Sequence, residues 1–250
     1  MKRALLRLTC ATSLGAPLLL HGLESRRAAQ FDALFEQNQF DALQAQLREE
    51  LAAGGSADAD VLWRLARATR FLAKDEARPA DERRAYAEEA VALAEQAVAA
   101  DESNWAAHKW VGIALSTLGD FLGTKEALKN AFAIRAAWDR AFALNPNDAT
   151  TAHLLGSWCL YFADMSYATY YAAKLIYATP PQSSYEEALQ FFERAEELDS
   201  GFYLSNAWML AKVNKKLGRH EEYRRWRDKT LSMEAKDIDD KVALYEARQG

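Results

Sequence analysis

A short phrase recurs along this chain and commits it to a stack of paired helices. Ala97-Val98-Ala99-Ala100-Asp101, Ala141-Phe142-Ala143-Leu144-Asn145 and Ala195-Glu196-Glu197-Leu198-Asp199 each close an apolar, helically periodic segment. Each is followed by a polar turn (Glu102-Ser103-Asn104, Pro146-Asn147-Asp148, Ser200-Gly201) and then by a new periodic segment. That is the punctuation of one helix handing over to the next. Fifteen residues after the first Ala of each phrase stand Gly112, Gly156 and Leu210, and a fainter copy puts Ala66 fifteen residues after Leu51. Glycine at two of these places lets neighbouring helices approach closely. Self-similarity of this kind marks a solenoid, in which no helix pair buries its apolar face alone and stacking makes the core.

The unit is tetratricopeptide-like, a helical hairpin of roughly 34 residues. Here the phrase recurs after 44 residues and then after 54 (positions 97, 141 and 195), so some second helices are extended or interrupted. The expected fold is all-α, a tetratricopeptide-like helical-hairpin solenoid with extended, irregular repeats. Helix pairs are expected at 27–53, 58–100, 104–144, 148–198 and 202–233. The expected organisation is a presequence-like or disordered segment over 1–26, the repeat domain over 27–236, and a C-terminal capping helix and tail over 237–250.

With 250 residues, half of them hydrophobic, the chain is large enough to bury such a core. A net charge of -5 argues against broad attraction to polyanions over the whole surface, so nucleic acid is not an expected partner and any anionic contact must be local. Two cysteines, Cys10 and Cys159, cannot build a disulfide framework once Cys10 is assigned to a leader, and this usage fits a reducing compartment. Residues 1–23 carry Lys2, Arg3 and Arg7 among apolar and hydroxylated residues, with the first acid at Glu24. That pattern resembles an organellar presequence; a secretory signal, a membrane anchor and a plain tail stand as alternatives. The uncharged run from Leu8 to Leu23 contains Gly15, Pro17 and Gly22 and falls short of the ~20 residues a spanning helix needs, and no later run approaches that length.

From Trp63-Arg64-Leu65-Ala66-Arg67 to about Ser232 the chain resembles the regulator of microtubule dynamics family. The motifs that carry the likeness are His108-Lys109-Trp110, Gly119-Asp120, Asn145-Pro146-Asn147-Asp148-Ala149-Thr150, His153-Leu154-Leu155-Gly156 with Trp158-Cys159, and Ala178-Thr179-Pro180-Pro181 before Tyr185-Glu186-Glu187-Ala188-Leu189. The likeness is to the short members, because the long coiled-coil region of the member that tethers mitochondria to the endoplasmic reticulum is missing. The resemblance implies a partner in microtubules or tubulin and a place at the spindle or cytoplasmic microtubules. A working presequence would instead send the chain to mitochondria.

Catalytic constellations are approached and missed. Gly119-Asp120-Phe121-Leu122-Gly123-Thr124-Lys125 has the wrong spacing for a phosphate loop and follows no strand. His220-Glu221-Glu222-Tyr223-Arg224 puts Arg224 where a zinc helix needs its second histidine. His108 and His153 occupy different positions relative to Gly112 and Gly156 and read as hydrogen-bonded structural residues. Cys159 sits in an apolar run and reads as an inert buried thiol. No catalytic residue, metal site or cofactor is expected.

Two segments stand out as binding candidates. In the fifth pair, Lys212, Lys215, Lys216, Arg219, Arg224, Arg225, Arg227 and Lys229 meet only Glu221, Glu222 and Asp228, a local excess of +5. Such polarity steers an acidic partner over a Debye length of about 10 Å; the plainer alternative is a solvated basic face. In the fourth unit, Tyr161, Phe162, Tyr167, Tyr170, Tyr171, Lys174 and Tyr177 precede Pro180-Pro181. Three- and four-residue spacing puts Tyr167, Tyr170, Tyr171 and Lys174 on one side of a helix, an ammonium group at the rim of an aromatic surface. One reading is a lipid site, which the resemblance supports through the tethering member's association with phospholipid transfer. The other is that the tyrosines fill the gap left by a long repeat. A peptide-binding adaptor is a further reading, against which the apolar first helices argue.

Overall fold

The computed structural model describes residues 28–54, 58–176, 179–201, 203–235 and 238–249, and among these there are helices and no strand. The presequence-like segment and Cys10 lie outside the described residues. A first helix, α1, covers residues 28–36. Then follow α2 (Phe40–Gly54), α3 (Ala59–Ala73), α4 (Ala80–Ala100), α5 (Trp105–Gly119), α6 (Thr124–Leu144) and α7 (Ala149–Ala163). The chain ends with α8 (Tyr167–Ile176), α9 (Tyr185–Leu198), α10 (Leu204–Lys216), α11 (His220–Ser232) and α12 (Ile238–Gln249).

The recurring phrase has a double mechanical role. Its first alanine is fully buried in all three copies, Ala97, Ala141 and Ala195. Its last residue leaves the helix, and the backbone N–H of Asp101, Asn145 and Asp199 donates back to the carbonyl of that same alanine at 3.1, 2.9 and 3.2 Å. The polar turn that follows supplies the next start: Asn104 and Asp148 accept from the amides of Ala107 and Thr151 at 3.1 and 2.8 Å. Each cap satisfies a donor that a helix terminus would otherwise leave unpaired.

The hairpins are α3 with α4, α5 with α6, α7 with α9, and α10 with α11, each packing on its neighbours in order. The fourth unit therefore holds three helices: α8 is inserted inside the α7–α9 hairpin, which accounts for the 54-residue recurrence. The core is continuous along the array. One cluster spans Phe31 to Trp110 and a second spans Leu115 to Ala247, and Val111 and Ile113 of α5 pack against both. α12 lies on α10 and α11. There the Trp208 indole donates to Glu246 at 2.6 Å and Arg227 Nε donates to the Ala247 carbonyl at 3.0 Å, a cation at a helix C-terminus. No helix among the described residues is long and apolar enough to cross a membrane.

Candidate functional site

The eight cations expected to form a basic patch lie on α10 and α11 and the turn between them, and tertiary contacts divide them into two sets. Four meet carboxylates: Lys212 with Glu246 at 3.4 Å, Lys216 with Asp164 at 2.6 Å, Arg225 with Glu222 at 3.0 Å, and Lys229 with Glu196. The Lys216–Asp164 pair is tied further by Tyr185, whose hydroxyl donates to Asp164 at 2.7 Å. Burial alone would push the Asp164 carboxyl up, but its hydrogen bonds to Lys216 and Tyr185 win and hold it below its ordinary value. The same bond raises the Lys216 ammonium. Arg227 is occupied by the α12 carbonyl. Lys215, Arg219 and Arg224 have no ion pair among the described residues and are exposed; the Lys215 ammonium lies 5.0 Å from the Tyr223 ring. The exposed cations without an ion pair thus sit at the α10–α11 turn and on α11, where Glu221 and Asp228 are likewise exposed and unpaired.

The aromatic segment forms a cluster on α8. Tyr167 and Tyr171 have ring centroids 4.4 Å apart, Tyr170 and Tyr171 are 5.5 Å apart, and Lys174 lies 5.9 Å from the Tyr171 ring. These tyrosines do not fill a gap in the core: Tyr161, Tyr167 and Tyr171 are 68 %, 77 % and 47 % exposed. Ala173 is the α8 residue that enters the core, while Phe162 is buried beside Trp158 at 4.5 Å. Tyr170 is half-buried and accepts from the Gln182 side chain at 3.0 Å. Tyr177 lies outside the described residues.

Between the α5–α6 hairpin and α7–α8 runs a groove of about 610 Å³, lined by Leu115, Leu128, Ile134, Trp158, Tyr161 and Met165 among others. Sequence reasoning did not find this groove. The signal available was the 54-residue recurrence, because the extra helix it accommodates supplies the groove's far wall through Thr169 and Ala173.

His153, Cys159 and His108 have structural partners, while His220 is exposed. His153 Nδ1 faces Asn206 Oδ1 at 3.0 Å, and Asn206 in turn donates to the Phe192 carbonyl at 3.1 Å. The Asn206 oxygen is therefore the acceptor, and Nδ1 of a neutral imidazole is the donor. Burial lowers the His153 pKa to about 4. Burial pushes the Cys159 thiol up to about 11. His108 Nε2 meets the Glu102 carbonyl at 3.0 Å. Among the described residues no cluster of histidine, cysteine and carboxylates is placed to hold a metal.

Comparison with known proteins fits this architecture. Residues 28–249 match the family model "Regulator of microtubule dynamics protein 1-3". The chain is 39 % identical over 194 residues to regulator of microtubule dynamics protein 1 of Pongo abelii, covering 78 % of this chain and 62 % of that protein. It is 38 % identical over 221 residues to the Mus musculus protein 1, covering 88 % and 72 %. With protein 3 of Rattus norvegicus it shares 28 % identity over 191 residues, only 40 % of that longer protein. Among solved structures, a thermophilic TPR protein of Thermus thermophilus superposes with a TM-score of 0.63 at 18 % identity, covering 90 % of this chain and 99 % of that one. The extent and level of these matches make this chain a member of the regulator of microtubule dynamics family, built as an all-helical tetratricopeptide-like solenoid.

Proposed function

We propose that the chain is a non-enzymatic scaffold that associates with microtubules, and that the α10–α11 end of the solenoid contacts the polymer. The observation that supports this most is the sorting of the cations. Lys215, Arg219 and Arg224 stay exposed and without an ion pair among the described residues, three cations beside the two unpaired acids Glu221 and Asp228, in a chain whose net charge is -5. Exposed lysine and arginine supply long-range attraction to an acidic surface with little stereospecificity, which suits the acidic tails of tubulin. The family's name supplies the identity of the polymer. Co-pelleting of the full chain with microtubules tests the reading: binding weakens steeply with salt and is lost when the tubulin tails are removed by proteolysis. Binding that ignores both would refute it.

The groove favours a second reading, binding of a phospholipid chain between α5–α6 and α7–α8. Its apolar lining and volume of about 610 Å³ suit a flexible hydrocarbon. Native mass spectrometry after exposure to phosphatidylcholine vesicles tests it; absence of lipid-bound mass would count against it.

A further inference from the structure

The groove between α5–α6 and α7–α8 does not end at Tyr161. A second recess of about 570 Å³ opens beside it and reaches α10 through Met209 and Lys212. Ser157, Tyr161, Met165 and Thr169 line both spaces, so the two are continuous. Their chemistry differs. The groove is walled by Leu115, Leu128, Ile134, Trp158 and Phe162. The recess brings Asp164, Ser166 and Lys212 to the shared hydroxyls of Ser157 and Thr169. An apolar trough that opens at one end into a polar recess matches a molecule with one hydrocarbon arm and one polar head.

The charges in the recess indicate which head it takes. Asp164 is already matched: one of its oxygens meets the Lys216 ammonium at 2.6 Å and accepts from the Tyr185 hydroxyl at 2.7 Å. Lys212 is not matched in the same way. Its ammonium carries three donors, and its carboxylate partner, Glu246, stands at 3.4 Å. A good charge-assisted bond is about 2.7–2.9 Å. The Glu246 oxygen it faces is the one that takes the Trp208 indole at 2.6 Å. Lys212 therefore keeps donors for an anion, with serine and threonine hydroxyls beside it.

We propose that the groove and the recess are one site for a lysophospholipid. Its single acyl chain lies along Leu128, Ile134 and Trp158, and its phosphate sits in the recess against Lys212. This rests on the reading of the groove as a hydrocarbon site and narrows it to one chain in one direction. A groove of about 610 Å³ is of the size that encloses a drug-sized ligand. The second chain of a two-chain lipid would stay in water and forfeit the burial that favours binding.

Titration of the full chain with palmitoyl lysophosphatidate below its micellar concentration tests the site, read by tryptophan emission and native mass spectrometry. The expected result is a one-to-one complex that Lys212→Gln weakens at least about tenfold. Monopalmitoylglycerol, with the same chain and an uncharged head, should bind about as weakly, and Lys212→Gln should leave that binding unchanged. Thr169→Trp, at an exposed position where groove and recess meet, should block both ligands. Far-UV circular dichroism checks that the variants keep their helices. Lysophosphatidate binding that ignores Lys212→Gln, or monopalmitoylglycerol bound as tightly as lysophosphatidate, would overturn the head site. Phosphatidylcholine bound one-to-one without lysophosphatidate would overturn this proposal and leave the groove reading standing. No added mass from either lipid would sink both.

Discussion

The indole of Trp138 on α6 fills the space that a β-carbon on Gly112 of α5 would need, and its Nε1 donates to the Lys109 carbonyl at 3.2 Å, one turn back along α5. The same arrangement returns one unit later, where a β-carbon on Gly156 of α7 would stand 2.7 Å from the Phe192 ring of α9. Trp158 of α7 reaches back to the Ala131 carbonyl of α6 at 3.0 Å, joining one hairpin to the next. Glycine at the first helix and a flat ring at the second are how this chain brings two helices together without a void.

Gly112→Ala and Gly156→Ala should each destabilise the protein. Alanine is better than glycine inside a helix by about 1 kcal/mol. Overpacking a filled site costs about 1–3 kcal/mol and outweighs that gain. Gly119, with open space around its added β-carbon, serves as the control. Urea midpoints should fall for the first two variants and hold or rise for Gly119→Ala.

Stability should decline on mild acidification because of His153. Its folded pKa of about 4 lies below the ordinary 6.5, so the unfolded chain takes up a proton first. The neutral imidazole's contribution is present above pH 6.5 and is lost as pH falls from 6.5 toward 4, amounting to about 3 kcal/mol at the bottom of the window. Unfolding free energies across that window should lose most of this slope in His153→Leu.

Cys159 should be silent in the folded state. Burial holds its thiol near pKa 11, and thiolate is the reactive form. In a Cys10→Ser background, labelling with a maleimide at pH 8 should follow global unfolding and accelerate sharply in denaturant. Fast labelling of the native protein would contradict the packing of α7.

Much of this architecture was legible because its signals are local. The capping Asn104 and Asp148 act on amides three residues away, and the buried Ala97, Ala141 and Ala195 stand a fixed fifteen residues before Gly112, Gly156 and Leu210, so the hairpins could be placed from spacing, although the rings that need those glycines, Trp138 and Phe192, come from the partner helices. The inserted α8 was visible as surplus length, but not which way its tyrosines face: periodicity puts Tyr167 and Tyr171 on one side without saying whether that side is covered. The basic segment was legible as charge and not as a surface. Lys216, Lys229 and Lys212 find Asp164, Glu196 and Glu246, acids that lie 52, 33 and 34 residues away and that counting within the segment omits.

Removing the Trp208 donor should loosen α12. Trp208→Phe keeps the ring but leaves Glu246 without its indole partner, whose bond is the leading cause of that carboxyl's lowered pKa. A hydrogen bond to a charged group contributes about 1.5–3 kcal/mol. Amide exchange within α12 should quicken while that of α3–α5 stays unchanged.

The most direct test of the scaffold account is microtubule co-pelleting with two sets of charge variants. One set carries Lys215→Glu, Arg219→Glu and Arg224→Glu at the exposed cations; the other removes whole pairs, joining Lys212→Gln with Glu246→Gln and Lys216→Gln with Asp164→Asn. The account expects the first set to abolish salt-sensitive pelleting and the second to leave it within about twofold, since a pair already matched adds little field. Full binding by the first set, with helices intact, would contradict the claim that this end of the solenoid meets the polymer.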